Sequence, residues 1–403
     1  MSNSLLTISM ITKEALRILR NNLAFAKGVN RQYDDSFANA GAKIGSVINI
    51  RKPVRFNVTN GASLQLQDVQ DQSVALTLNQ QKHVGFQFSS KDMTLSIDDF
   101  SSRYIAPAIN ALGNQIDLDG LALATSVANS VGTPGTTPAT SLVYLQALQK
   151  LDENATPMDG LRNLAINPAA QAATVDALKG LFQSGDQIAS QYEKGRMAVG
   201  LGFNWMMDQN IQTNTIGALG GTPVVNGASQ SGASLITNGW TASVTGALKA
   251  GNVFTIAGVY AVNPVSFQST GSLKQFVVTA DASSDGSGNI TLAISPSIVG
   301  PGSPYQNVSV LPANAAALAV VGAANIVTPQ NLAYHRDAFV LGMADLELPR
   351  GVEMAAKASD PESGLSLRIV RAYDIVNDQH PCRIDVLYGW QAMYPELACR
   401  IQG

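Results

Sequence analysis

Residues 248–259 read Leu248-Lys-Ala-Gly-Asn-Val-Phe-Thr-Ile-Ala-Gly-Val259, and two further β-rich runs follow, Phe276-Val-Val-Thr-Ala280 and Ile290-Thr-Leu-Ala-Ile-Ser-Pro296. With Val308-Ser-Val310 they form a series of short strands parted by Pro and Gly turns, the pattern of a small all-β barrel or sandwich. Gly217 to Gly239, rich in Gly, Ser, Thr and Asn, leads into the series and marks a linker or loop edge. On either side of this block helix and strand alternate. The simplest account is one α/β body interrupted by a β insertion at residues 224–328.

Working outward, helix Ser141–Asn154, strand Asn163–Pro168, helix Ala169–Phe182 and the run Met197–Phe203 precede the insertion. Mixed character returns near Thr328, and paired strands Leu365–Ile369 and Ile384–Tyr388 close the chain. Upstream, Pro107 suits the first turn of a helix, where its missing N–H costs nothing. Ile109, Leu112, Ile116, Ala124, Val127 and Val131 keep helical spacing, which predicts one spine helix over 107–131, roughly 37 Å long. Gly132-Thr-Pro-Gly-Thr-Thr-Pro138 ends it. Between residues 46 and 90 the period falls to two: Val54, Phe56 and Val58, then Leu64 and Leu66, then Val74, Leu76 and Leu78, then Val84, Phe86 and Phe88. With Asn60-Gly61 as its turn, this reads as a long antiparallel hairpin projecting from the body. Residues 11–27 place Leu16, Leu19, Leu23 and Ala26 on one helical stripe, with Thr12 as N-cap and Gly28 as the stop.

Composition narrows the function. Charged residues are 14% of 403, against about 25% in ordinary soluble domains, so much of the surface is expected to be covered by partners. Lys and Arg number 26 against 29 Asp and Glu, and no basic run occurs, which argues against phosphate-backbone binding as the main task. No window is long and apolar enough to span a membrane, and the apolar start Met1–Met10 lacks a basic leader. Two cysteines, Cys382 and Cys399, make no disulfide framework and point to a reducing compartment.

The catalytic look-alikes are incomplete. His335-Arg336-Asp337 matches the kinase catalytic triplet, but Gly342 stands where an Asn is needed and no phosphate loop accompanies it. Asp281-Ala-Ser-Ser-Asp-Gly286 imitates a calcium loop, but Leu292 occupies the position of the closing Glu, so a hairpin turn is favoured. His83, His335 and His380 lack ligand spacing, and a zinc site on His380 and Cys382 lacks two ligands. Asp34-Asp35 and Asp98-Asp99 suit turns and helix starts better than a facing acid pair. Arg51-Lys52-Pro53-Val54-Arg55 is either a solvated strand or a patch meeting an acidic neighbour subunit. No catalytic, cofactor-binding or metal site emerges.

The order of these parts resembles the HK97-like major capsid proteins of tailed phages, in particular the P22-type coat proteins, which interrupt that fold with a β insertion domain. Leu248–Val259 resembles the first strands of that insertion, and Phe276–Ala280 and Ile290–Pro296 its later ones. Cys382-Arg-Ile-Asp-Val-Leu-Tyr-Gly389, followed by Tyr394-Pro-Glu396, resembles the closing strands. The resemblance implies an α+β, HK97-like capsid fold divided into an N-terminal arm (1–45), an extended β-hairpin (46–90) and a peripheral domain with a spine helix (91–138). The first part of an axial domain (139–223), an inserted β-barrel (224–328) and the axial remainder with closing peripheral strands (329–403) would complete it.

It further implies a non-enzymatic structural protein that self-assembles into the icosahedral virion capsid, through a procapsid that matures by rearrangement of its hexamers and pentamers. Its partners would be copies of itself, a portal protein at one vertex, a possible decoration protein, and a separate scaffolding protein, since no charged helical segment precedes the arm. Double-stranded DNA would be enclosed without sequence-specific binding and with no membrane, and the chain would be made in the bacterial cytoplasm. Expected subunit contacts lie on the arm (Leu16, Leu19, Leu23), the basic strand (Arg51, Arg55) and the hairpin turn (Asn60, Gly61). The rival readings are another phage structural protein, of tail or surface β type, and an α/β hydrolase.

Overall fold

A computed structural model describes residues 8–31, 47–56, 58, 61–62, 66, 72–89, 104–178, 199–360 and 364–402. They divide into two units, the first built from Met1–Lys52, Ser73–Gly120 and Phe339–Met393, the second from Pro53–Gln72, Leu121–Ala338 and Tyr394–Gly403. In chain order the elements begin with α1 (Ile8–Asn22), β1 (Val47–Lys52), β2 (Gln72–Thr77), β3 (Gln80–Ser89), α2 (Ala106–Leu121), β4 (Ser130–Gly132), α3 (Ser141–Glu153), β5 (Arg162–Ile166) and α4 (Pro168–Leu178). There follow β6 (Val199–Gly200), β7 (Phe203–Met207), β8 (Thr213–Thr215), β9 (Gly221–Val225), β10 (Gly232–Trp240), β11 (Val253–Val262), β12 (Ser269–Val278), β13 (Ile290–Ile298) and β14 (Leu318–Val320). The last are β15 (Val327–His335), β16 (Phe339–Met343), β17 (Met354–Asp360), β18 (Leu365–Arg371), β19 (Gln379–Ala392) and β20 (Ala398–Gln402). The fold is mixed α+β.

The first unit is organised by β19. One edge of this strand pairs antiparallel with β3, from Gln379↔Ser89 to Tyr388↔Gln80. Its other edge is shared, by β18 over Cys382–Asp385 and by β16 over Tyr388–Ala392, and β17 pairs in turn with β18. Alternation along β19 buries Cys382, Ile384, Val386 and Tyr388. The helix α1 packs on β17 and β18, burying Leu16, Leu19 and Leu23 within the chain.

The helix α2 ties this unit together through polar groups as well as its buried Ile109, Leu112 and Ile116. The Asp117 carboxylate accepts the backbone N–H groups of Ala24 (2.6 Å) and Ala26 (2.9 Å), on the turn after α1. Asp119 accepts the Tyr388 hydroxyl (2.6 Å), and the Trp390 indole donates to the Ile116 carbonyl (3.1 Å). Gly120 lies beneath that indole, where a Cβ would come within 2.6 Å of the ring, so the helix approaches the strand this closely only with glycine there.

The second unit combines a seven-stranded sheet, in the order β4-β20-β15-β5-β7-β6 with β8 beside β15, and a six-stranded one, β14-β11-β12-β13-β10-β9. In the first, β5–β7 and β20–β4 pair parallel, the rest antiparallel. Tyr144, Ala147 and Leu151 of α3 are buried with Trp205, and the Tyr144 hydroxyl meets Thr174 of α4 at 2.8 Å. The six-stranded sheet closes on itself: Val225 N–H donates to the Ala316 carbonyl, Ala315 N–H returns to Val225, and Val224 bridges Ala317. Its interior is filled by Leu235, Phe254, Ile256, Phe276, Leu292 and Ile294 among others, so this is a barrel with its own core. The entering strand β8 and the leaving strand β15 pair antiparallel (Thr215↔Val327), which makes the barrel an insertion at one point of the body.

The structure corrects several expectations. The spine helix ends at Leu121, continues as a 3-10 turn over Ala122–Ser126, and gives way to β4 by Ser130. Pairing of β4 with β20 outweighs the helical spacing of Val127 and Val131. The arm helix starts earlier than expected, so Thr12 is buried inside it rather than capping it, and a separate 3-10 turn, Phe25–Gly28, ends at the expected glycine. The strand bearing Val84, Phe86 and Phe88 belongs to the β19 sheet, not to the hairpin, whose described paired strands are β1 and β2.

Replacing Asp117 by Ala leaves two backbone donors of the arm turn without their acceptor. The substitution should lower unfolding stability by about 2 kcal/mol or more, read by urea denaturation of the dissociated chain. Asp117→Asn, which keeps one acceptor oxygen, should lose less.

Candidate assembly surfaces

Surfaces that meet other molecules should be those whose apolar groups the chain leaves uncovered. The expected arm contacts are not among them. Leu16, Leu19 and Leu23 are covered by this chain's own strands, because the apolar stripe of α1 turns inward onto β17 and β18. What the arm offers outward is its charged side, where Arg17 pairs with Glu14, and Arg20 with Asp360 of β17 at 3.1 Å.

The segment after β1 is different. Arg51 is exposed, and Arg55 comes within 3.7 Å of Glu396 while remaining partly exposed. Beyond it Phe56, Val58 and Leu66 are 62%, 96% and 88% exposed. Gly61 has a φ of +113°, open to glycine and costly for other residues, as a turn requires. Asn60 lies outside the described residues, as do Asp34-Asp35 and Asp98-Asp99.

A second uncovered group was not anticipated from the sequence. The turn from β18 to β19 carries Ile375 and Val376, 82% and 85% exposed. Asp374 fixes the turn: its carboxylate accepts the Val376 N–H (3.0 Å) and the Asn377 side-chain amide (2.7 Å), while its backbone pairs with Gln379. These bonds hold the Asp374 carboxyl below its ordinary pKa. The Tyr373 hydroxyl donates to Asp378 (3.0 Å), and its ring lies 5.0 Å from that of His380. The signal was present as an aliphatic pair enclosed by turn-forming Asp and Asn in Asp374-Ile-Val-Asn-Asp378.

Polar side chains join the barrel to its sheet. Gln275 of β12 makes a two-way amide pair with the backbone of Ser130 (2.8 Å each way), and Arg400 of β20 donates to the Gly251 carbonyl (2.7 Å). Asn252 accepts from the Gly217 and Lys249 N–H groups, and Asn214 donates to Ala250. Lys274 of β12 is buried. Burial pushes its pKa down to about 8, against the upward pull of the Glu396 carboxylate, and Lys150 adds a smaller downward push.

The catalytic look-alikes have structural employment. His335, buried at the end of β15, bonds Asp159 through Nε2 and accepts at Nδ1 from the Asp337 N–H. Asp285 closes the loop before β13 by accepting the Ser287 and Asn289 N–H groups, and Leu292 sits in the barrel core. His380 bonds Glu353, and burial raises the Cys382 and Cys399 thiols to about 11 and about 12, far from thiolate reactivity. Among the described residues no group of three or more His, Cys, Asp or Glu side chains is placed to hold a metal ion. No described helix is long and apolar enough to cross a membrane.

A family model described as "P22 coat protein - gene protein 5" matches residues 1–403. Among solved structures, one described as "Mycobacterium phage Che8" is similar at 13% identity, covering 94% of this chain and 90% of that one, with a TM-score of 0.47. A virus-like particle from Pyrococcus furiosus is similar at 9% identity over 98% of this chain and 99% of that one, with a TM-score of 0.42. The CUS-3 coat protein I-domain is 27% identical, covering 25% of this chain and 94% of its own, with a TM-score of 0.19. No curated protein matches the chain.

The Lys274 ammonium gives a pH-dependent stability term. Below pH 8 both folded and unfolded states carry the proton, and the folded state bears the cost of a buried charge. Above pH 8 the folded state loses the proton first, so this group's contribution rises until the unfolded chain also deprotonates, at about pH 10.4. Lys274→Met should therefore stabilise the chain at pH 7, by about 1–3 kcal/mol, and the gain should shrink at pH 9.5. Urea melts of both chains at the two pH values test this, and a loss of stability at pH 7 would contradict it.

Proposed function

The chain belongs to the P22 coat protein family, a family of structural proteins, and from this premise we propose how it works as a major capsid protein forming the shell. Copies of it build an icosahedral shell around the phage genome, first as a procapsid and then, by rearrangement of subunits, as the mature virion. The family match over the full length of the chain carries the reading. The physics of the surface supports it: charge is sparse, and large apolar side chains at Phe56, Val58, Leu66, Ile375 and Val376 are left for neighbours to cover.

The finer steps belong to the same reading. A separate scaffolding protein guides assembly, a portal protein takes one vertex, and a decoration protein is a possible addition. The chain is made in the host cytoplasm and encloses double-stranded DNA without reading it, in keeping with its net charge of −3. The inserted barrel, with its own core and a paired-strand neck, keeps its shape while the segments around residues 51–66 change angle.

Negative-stain microscopy with sedimentation velocity on the purified chain tests the function. Closed shells, or rings of five and six subunits, are the expected result. A monomer or dimer that never assembles, even when coexpressed with the neighbouring phage genes, would overturn it. Uniform closed shells from this chain alone would overturn the separate scaffolding step.

A further inference from the structure

The joint between the barrel and the seven-stranded sheet buries a positive charge with which no carboxylate among the described residues pairs. Arg400 of β20 is fully buried. Its Nη1 donates to the Gly251 carbonyl (2.7 Å) and to Gln330 Oε1 (3.1 Å), both neutral acceptors. Its Nε and Nη2 are buried and have no hydrogen-bond partner among the described residues. Burial lowers its pKa to about 9, against a smaller upward pull from Cys399, so the guanidinium is charged at neutral pH.

A third unpartnered donor lies on the neighbouring strand. Ser130 of β4 is 4% exposed, and its hydroxyl is buried without a partner among the described residues. Ser130 is the register partner of Arg400 in the parallel β4–β20 pair, so the two side chains leave the same face of the sheet. That face meets the barrel, since Arg400 reaches Gly251 just ahead of β11. We propose that Arg400 and Ser130 hold one small monovalent anion, of the chloride class, between the barrel and the sheet.

The chemistry of the donors selects this ligand. An uncompensated interior charge is strongly destabilising, and each orphaned donor adds to the cost. Nε and Nη2 form the side edge of the planar guanidinium, a fork of two parallel N–H groups that suits an anion. An anion accepting from both and from the Ser130 hydroxyl removes the charge and the orphaned donors together. A water would satisfy donors and leave the charge. Sulfate or phosphate would bury a second negative charge with nothing to pair it. Small size follows from the packing around Gly251, where a Cβ would come within 3.1 Å of the Thr125 Cβ and collide with the Asn214 amide. The anion is thus a structural part of the joint, beside Gln275, Asn214 and Asn252.

Chloride titration of the dissociated chain tests this. Urea unfolding would be followed in mixtures of sodium chloride and sodium gluconate at one fixed sodium concentration, which holds ionic strength constant. Once chloride exceeds its dissociation constant, the unfolding constant should fall about tenfold for each tenfold rise in chloride. Bromide should act like chloride. Arg400→Met should abolish the dependence, and Ser130→Ala should shift it to higher chloride.

An unsubstituted chain indifferent to chloride would overturn the proposal. The same dependence in Arg400→Met would overturn it too, because it would mark a general salt effect. If Arg400→Met does not fold, Ser130→Ala decides, and a dependence identical to that of the unsubstituted chain counts against the site. Crystals of the chain soaked in sodium bromide give the location. An anomalous peak within hydrogen-bond distance of Arg400 Nε and Nη2 is the expected result, and bromide found only elsewhere would contradict it.

Discussion

The carboxylate of Asp117 is the point on which the first unit turns. It lies on α2, it is buried, and it accepts two backbone N–H groups from the turn that ends the arm. A helix has no spare donors or acceptors along its middle, so a side chain must make such a junction. Two residues on, Asp119 holds Tyr388, and the carbonyl of Ile116, one residue back, holds Trp390 over Gly120. The same short stretch of helix, Ile116–Gly120, thus fixes the arm and the long strand β19, on which β3, β16 and β18 register. The uncovered turn at residues 373–378 leads directly into that strand, so its position is inherited from α2.

A different economy governs the second unit. The barrel needs nothing from the body for its core, and its chain enters and leaves through one pair of strands. Its attachment combines a small apolar contact, Ala128 with Val253 and Val277, with amides and a guanidinium that satisfy backbone groups: Gln275, Asn214, Asn252 and Arg400. Such a joint specifies geometry through hydrogen bonds and contributes less net stability than an apolar joint of equal size. In a subunit made in this way the most exposed large apolar side chains among the described residues, Val58, Leu66, Ile375 and Val376, lie on the segment after β1 and the turn after β18. That division suits a protein whose copies must bind one another.

Much of this was legible in the sequence, for physical reasons that also explain the failures. The runs at 253–256 and 290–294 fall inside β11 and β13, and the run at 276–279 extends one residue past the end of β12, because β-branched residues between Gly and Pro turns leave few alternatives. The short run Val308–Val310 is too brief for a strand of its own, and Val308 makes an isolated bridge to Ala261. The end of α2 is hidden from the sequence because residues 124, 127 and 131 keep helical spacing, while a sheet partner 270 residues away claims Ser130–Gly132. The stripe Leu16-Leu19-Leu23 was correctly seen as apolar, but periodicity cannot say whether the covering surface belongs to the same chain or to a neighbour. The Ile375–Val376 turn carries no periodic signal in the sequence, and the fold shows that none of the described residues covers its two aliphatic side chains.

A subunit that folds before it assembles, and whose assembly covers particular segments, has a distinct exchange signature. Hydrogen exchange by mass spectrometry, on free subunits and on shells, addresses this most directly. Protection should rise on assembly at residues 47–58 and 372–380, while α2 and the barrel strands β11–β13 exchange equally slowly in both states. Shells in which those two segments stay as unprotected as in the free chain, or subunits in which α2 gains its protection only on assembly, would contradict it.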